Sequence, residues 1–156
     1  MNREGMGMSG QVQMVLKDRY GLIKEERDGP NTVTDAGITE IVKFMANVAA
    51  DDFTHVAIGT GSTGEAVTDT TLEAEISTNG GGRDTSTVTA ETENTTGDTL
   101  QLISGWNFTG SLSVTESGVF NDGSAGDMLC RQTFTALPVD DGDSLTITWR
   151  VTLNQA

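Results

Sequence analysis

Between residues 145 and 153 apolar and polar side chains alternate without a slip. Leu145, Ile147, Trp149, Val151 and Leu153 fall on one parity, and Thr146, Thr148, Arg150 and Thr152 fall on the other. Successive side chains of a strand point to opposite faces, so this segment puts one face into a core and the other into water. A helical period does not produce that pattern. The alternation recurs in Val12, Met14 and Leu16, in Leu72, Ala74 and Ile76, and in Leu100, Leu102, Trp106 and Phe108. Val56 and Ile58, Leu112 and Val114, Val119 and Phe120, and residues 128–139, closed by Pro138, add further short strands between turn residues. Short alternating strands with frequent turn signals predict a mainly β fold, an antiparallel β-sandwich of jelly-roll-like type.

At 156 residues the chain fits one domain. Residues 1–10 have no period and are expected to form a flexible N-terminal arm ahead of a single sandwich domain over 11–156. Asp18 to Gly21 reads as a turn and Leu22–Glu25 as a returning strand, which predicts a hairpin. Asp28-Gly29-Pro30-Asn31 should break it. One helix is predicted at about 35–50, capped by Thr34 or Asp35 and ended by Asp51-Asp52. Ile38, Ile41, Val42, Met45, Val48 and Ala49 recur along it at helical spacing, and this stripe is expected to pack into the core. Residues 77–98 read as a long loop or as an edge strand around Val88. Gly118 is a candidate bulge.

The chain carries 23 acidic and 9 basic residues, a net charge of -14. That excess argues against a phosphate-binding surface, so no nucleic-acid partner is expected. No apolar run approaches the ~20 residues that span a bilayer, and residues 1–10 lack the apolar stretch of a secretion signal. No membrane partner is therefore expected. Cys130 is the sole cysteine, which excludes an intrachain disulfide and a cysteine-based zinc site; it reads as a buried structural thiol. The acid excess fits a soluble, self-repelling chain, and also adaptation to brine. At about 1 M salt the Debye length is only ~3 Å, and a crowded acidic surface stops repelling itself. Calcium is the one cofactor the acids suggest. Asp140, Asp141 and Asp143 cluster around Gly142, and Asp122 and Asp127 flank a second turn, but neither set has the twelve-residue loop spacing.

The run Gly59-Thr60-Gly61-Ser62-Thr63-Gly64 has no lysine and opens no helix, so it is not a nucleotide loop. It reads as a tight turn using the positive φ that glycine allows. His55, the only histidine, has opposite parity to Val56 and Ile58 and belongs on the outer face or at an interface. No Gly-x-Ser-x-Gly elbow accompanies it, and no catalytic residue is assigned. Asn94-Thr95-Thr96 and Asn107-Phe108-Thr109 match the N-glycosylation pattern; the first lies in a polar loop and the second beside core residues.

Five segments together resemble a known family. They are His55-Val56-Ala57-Ile58-Gly59-Thr60-Gly61, Leu72-Glu73-Ala74-Glu75-Ile76, Val114-Thr115-Glu116-Ser117-Gly118-Val119-Phe120-Asn121, Met128-Leu129-Cys130-Arg131, and Val139 through Leu153. In this order they resemble the small β-sandwich virion proteins of tailed viruses, over about two thirds of the chain. That pattern expects a basic residue soon after Ile76, and Arg83 is the one available. The resemblance implies a non-enzymatic structural protein, a turret or decoration protein on the capsid or an accessory part of the tail. It implies a homo-oligomer, trimer or pentamer, bound to the major capsid protein or other virion proteins. The arm at residues 1–10 and the hairpin at 11–25, with Val12, Met14, Leu16 and Tyr20, are then the expected shell contact, with His55 a further interface candidate. A glycan-binding module is the alternative from another class, and an exposed Trp106 or Tyr20 beside an acidic loop would favour it. If the acid excess is an adaptation to brine, the melting temperature rises steadily from low to multimolar salt; an equal melting temperature throughout contradicts that reading.

Overall fold

A computed structural model describes residues 5–155. In chain order the elements are β1 (Met6–Lys17), β2 (Ile23–Pro30), β3 (Thr32–Val33), α1 (Asp35–Ala46), β4 (His55–Gly59), β5 (Asp84–Thr85), β6 (Thr87–Glu91), β7 (Thr99–Asn107), β8 (Leu112–Phe120), β9 (Met128–Val139) and β10 (Ser144–Gln155). The strands form two five-stranded sheets, in the orders β2-β1-β10-β7-β6 and β3-β9-β8-β4-β5. Every pairing is antiparallel. The sheets pack face to face as the expected β-sandwich.

The alternating residues of β10 and β1 behave as their pattern requires. Leu145, Ile147, Trp149 and Val151 join Val12, Met14, Leu16 and Leu102 in the core between the sheets. Trp149 is fully buried, and its indole N–H donates across the core to Ser117 Oγ at 3.3 Å. Ser117 in turn donates to the Ala57 carbonyl at 2.8 Å, so this polar bridge between the layers is satisfied. Each large apolar side chain buried here contributes about 1.5–3 kcal/mol.

Several expectations are corrected. Met6–Gly10 do not form an arm: they continue β1 and pair with β10 from Met6 opposite Gln155 onward. Residues 1–4 of the expected arm lie outside the described residues. The strand after the hairpin turn does not stop at Asp28-Gly29, because at a sheet edge Pro30 sacrifices no ladder hydrogen bond. The turn itself is as read: Asp18 Oδ1 accepts from the N–H groups of Tyr20 and Leu22, and Gly21 has φ of 82°. Val12, Met14 and Leu16 are filled into the chain's own core and are not interface residues. Gly118 is no bulge. It pairs with both Ala57 and Arg131, and the register shifts fall to either side of it, at Val114/Glu116 and Val119/Phe120. Residues 87–91 do form an edge strand, exposed throughout.

The helix departs furthest from its pattern. Thr34 Oγ1 caps it, accepting from Gly37 N at 3.0 Å, but it ends at Asn47 in the left-handed region, ahead of Asp51-Asp52. Apart from Ile41, which packs against the core, the apolar stripe faces outward. Ile38 is 46% exposed, Val42 56% and Met45 73%. What faces β9 instead is Gly37, with Glu40 buried beside its partner Lys43. A side chain at Gly37 would meet the Leu129 carbonyl at 2.6 Å, so the helix seats closely because that residue has none. Gly37→Ala is expected to lower stability by about 1–3 kcal/mol in urea unfolding, the usual cost of overpacking; an unchanged midpoint would show that the seat is loose.

Candidate functional site

Strand β8 carries a bulge that changes which face its residues address. Val114 points between the sheets, and beyond the register shift Ser117 and Val119 do so, which sends Glu116 to the outer face of its sheet. Glu116 is nevertheless fully buried. Its Oε1 accepts from Gly61 N at 3.0 Å and Ala74 N at 2.8 Å, and its Oε2 accepts from Glu73 N at 3.1 Å. Arg131 on β9 completes the set with two bonds to Oε2, from Nε at 3.0 Å and Nη2 at 2.8 Å. The guanidinium reaches on to Asp69 Oδ2 at 2.8 Å and to the Thr63 carbonyl at 3.0 Å.

This constellation straps residues 59–76 over the sheet. Leu72, under that strap, packs with Ala57, Phe120 and Met128 in a second core, so this sheet is buried on both faces. The glycine run is therefore a carboxylate cradle that the chain fills itself. The N–H groups of Ser62 and Thr63 each reach Glu73 Oε2 at 2.8 Å. Those bonds, with Thr63 first, hold the Glu73 carboxyl below its usual range. Gly59 and Gly61 do not use positive φ. A side chain on either would come within 2.4 or 2.5 Å of Glu116 Oε1, so both are glycine for close approach. The expected basic residue, Arg83, binds Glu75 through two bonds of 2.9 and 2.7 Å and lies 3.8 Å above the Phe120 ring.

The remaining sequence candidates are also tied into the fold. Lys24 Nζ sits 2.5 Å from Asp143 and 3.4 Å from Asp140, and Arg19 lies 3.7 Å from Asp141. The place that calcium was expected to take among these three acids is held by the chain's own cations. Burial would raise the Asp143 carboxyl, but the Lys24 ammonium and the Asp140 N–H outweigh it and lower it. Among the described residues no group of three or more histidine, cysteine, aspartate or glutamate side chains converges as a metal site. His55 is part-buried, with Thr54 Oγ1 at 3.0 Å from Nδ1 and Thr85 Oγ1 at 3.2 Å from Nε2. Trp106 is buried and donates to the Gly82 carbonyl at 2.7 Å, so it offers no sugar platform. Cys130 is buried, and desolvation pushes its thiol well above the usual range. Asn94, in an exposed turn, donates to Asn154 Oδ1 at 3.0 Å.

Two apolar surfaces remain, one at each end of the sandwich. At one end is the β1–β2 turn, where Tyr20 is 82% exposed and Leu22 and Ile23 are also open. Arg19 and Lys24 tie this tip to the β9–β10 turn. At the other end is the outward stripe of α1. Beside it a mostly apolar cavity of about 250 Å³ is lined by Ile41, Phe53, Leu100, Leu129, Val151 and Leu153, with Asp98 also on its wall. The twelve residues of β10 run from one end to the other, a span of roughly 40 Å. The sequence marks the hairpin surface through Tyr20 alone, since Val12, Met14 and Leu16 are core and Leu22 and Ile23 carry no signal, and it assigns the helix stripe to the core.

Removing Glu116 leaves Arg131 buried without its main partner. Glu116→Ala is expected to lower stability by about 3–5 kcal/mol in urea unfolding, and Asp69→Ala, at the more open end of the network, by less; equal small losses would mean the strap holds without it. No protein-family model matches the chain, and no curated protein matches it in sequence.

Proposed function

We propose that the chain is a non-enzymatic structural protein of a tailed-virus particle, decorating the capsid surface as a turret or decoration protein. It works as a cyclic homo-oligomer, trimer or pentamer, on the major capsid protein or another virion protein, and binds neither nucleic acid nor membrane. The observation that carries this reading is the hairpin tip. Tyr20, Leu22 and Ile23 stand exposed at the end of a rigid two-sheet body. The ion pairs of Arg19 and Lys24 hold that tip in place. Exposed apolar clusters of this kind mark protein contacts. His55, Glu116 and Arg131, the groups best suited to chemistry, are engaged by partners within the chain. The order of segments from His55 to Leu153 supplies the viral part of the proposal through its resemblance to virion sandwich proteins.

Within the same class, a tail or fibre-base component differs by copy number. Quantitative mass spectrometry of purified particles is expected to find the chain at shell stoichiometry, more than about tenfold above tail proteins. Tail-level abundance would move it to the tail, and absence from particles would overturn the reading.

One observation favours a second reading, a glycan-binding module. Tyr20 lies exposed beside the acidic Asp140–Asp143 turn that Arg19 contacts. A glycan array probed with and without calcium tests it; under the virion reading no glycan is retained in either condition, and binding abolished by Tyr20→Ala would favour the module instead.

A further inference from the structure

The outer face of the sheet that holds β10 carries a polar row. Val12, Trp149 and Leu102 point between the sheets, so their neighbours Gln11, Arg150 and Gln101 point away from the core. The strand register sets Gln11 opposite Arg150, Arg150 opposite Gln101 and Gln101 opposite Thr89, one row across β1, β10, β7 and β6. Hydrogen bonds run along it. Arg150 Nε donates to Gln101 Oε1 at 2.8 Å, and Gln101 Nε2 donates to Thr89 Oγ1 at 3.3 Å. Thr89 Oγ1 donates on to Glu91 Oε1 at 2.7 Å. Gln101 is buried, and only its oxygen can accept from a guanidinium, so this relay fixes Arg150 through Nε. The two terminal nitrogens of Arg150 have no partner among the described residues, whereas Arg19, Arg27, Arg83 and Arg131 each pair with a carboxylate.

Arg150 lines a hollow of about 350 Å³ on this face, together with Ser9, Gln11, Asp28, Glu93 and Thr152. That volume lies within the range of small-molecule sites. The hydroxyls are already engaged: Ser9 Oγ accepts from Asn154 Nδ2, and Thr152 Oγ1 bonds Thr99 Oγ1. Left open among the described residues are the Arg150 fork, the Gln11 amide and the carboxylates of Asp28 and Glu93. β1 lies between β10 and the strand that bears Asp28, which keeps that acid apart from Arg150. In a chain with 23 acidic and 9 basic residues, a half-buried guanidinium with no carboxylate on it is the exception. We infer that this hollow is a binding site for a small zwitterion, a free amino acid or a short peptide, with its carboxylate on Arg150 and its ammonium on Asp28 or Glu93. An arginine fork matches a carboxylate with two parallel bonds. The walls decide the rest. A phosphate dianion is drawn to Arg150 and repelled by two carboxylates, and a lone ammonium meets the guanidinium charge. A molecule carrying both charges is attracted by both walls. Because the relay holds Arg150 before the ligand arrives, little ordering cost remains at binding. The inference goes beyond the attachment reading and holds whether or not the partner at the hairpin end is viral.

Titration of the full chain with glycine, glycylglycine, acetate and methylammonium at one ionic strength, followed by amide NMR shifts, tests it. At least one zwitterion is expected to saturate, with the shifts gathered at residues 9–11, 28–30, 93 and 150–152. Tighter binding of glycine points to a free amino acid as the source, and tighter binding of glycylglycine to a short peptide. Acetate and methylammonium each offer one of the two charges. Each is expected to bind about ten- to a hundredfold more weakly, the loss of one charge-assisted pair. Arg150→Gln is expected to weaken the zwitterion by a similar factor, with circular dichroism unchanged. Asp28→Asn combined with Glu93→Gln, both at exposed positions, is expected to bring the zwitterion down to the level of acetate. Neither zwitterion saturating, acetate binding as tightly as the zwitterion, or binding kept in Arg150→Gln would each overturn the inference. So would tighter zwitterion binding in the Asp28 and Glu93 double variant, which would show that those acids close the fork themselves.

Discussion

A carboxylate without solvent holds this protein in its shape. Glu116 would be costly to bury as a bare charge. Its cost is offset by three backbone N–H groups and the Arg131 guanidinium, all within 3.1 Å. Those partners come from the glycine run, from the segment at 73–74 and from β9, which are distant in sequence. One side chain thereby ties a long connection down over the outer face of a sheet. The second core under that connection, with Leu72 against Phe120, exists because the strap is shut. A sheet dry on both sides is stiffer than one with a wet face, and the proposed attachment role calls for a stiff body.

Much of the fold was legible in the sequence, and the reasons are local. The parity of β10 and β1 identified core residues correctly because a strand offers only two faces. The helix start was legible because Thr34 is a good cap. The direction of its stripe was not, because a helical period reveals that one face is apolar and not which face the protein covers. Here the inner face is chosen by Gly37, which lets the helix approach Leu129 closely, and by Glu40, which takes Lys43 inside with it. Neither looks like a core residue. The Glu116 network was equally hidden. A glutamate amid twenty-two other acids carries no mark of burial, and the bulge that re-aims it depends on strand pairing with β9. The five-segment resemblance contained Glu116, Arg131 and the glycine run without indicating that they meet.

The calcium expectation failed for an instructive reason. Asp140, Asp141 and Asp143 do cluster, yet the hairpin brings Arg19 and Lys24 against them. Of the few basic residues in the chain, these two lie where they fix the orientation of the tip. The electrostatics thus divide the molecule. Matched ions brace the hairpin end, and the helix end exposes the apolar side chains of Ile38, Val42 and Met45. In the proposed role, a body whose strands run between two differing ends would stand on the shell by its hairpin tip.

That orientation is open to direct observation by cryo-electron microscopy of decorated particles. The account predicts that the long axis of β10 stands away from the shell, with the turn at residues 18–22 against it. A map in which that turn points into solvent would contradict it.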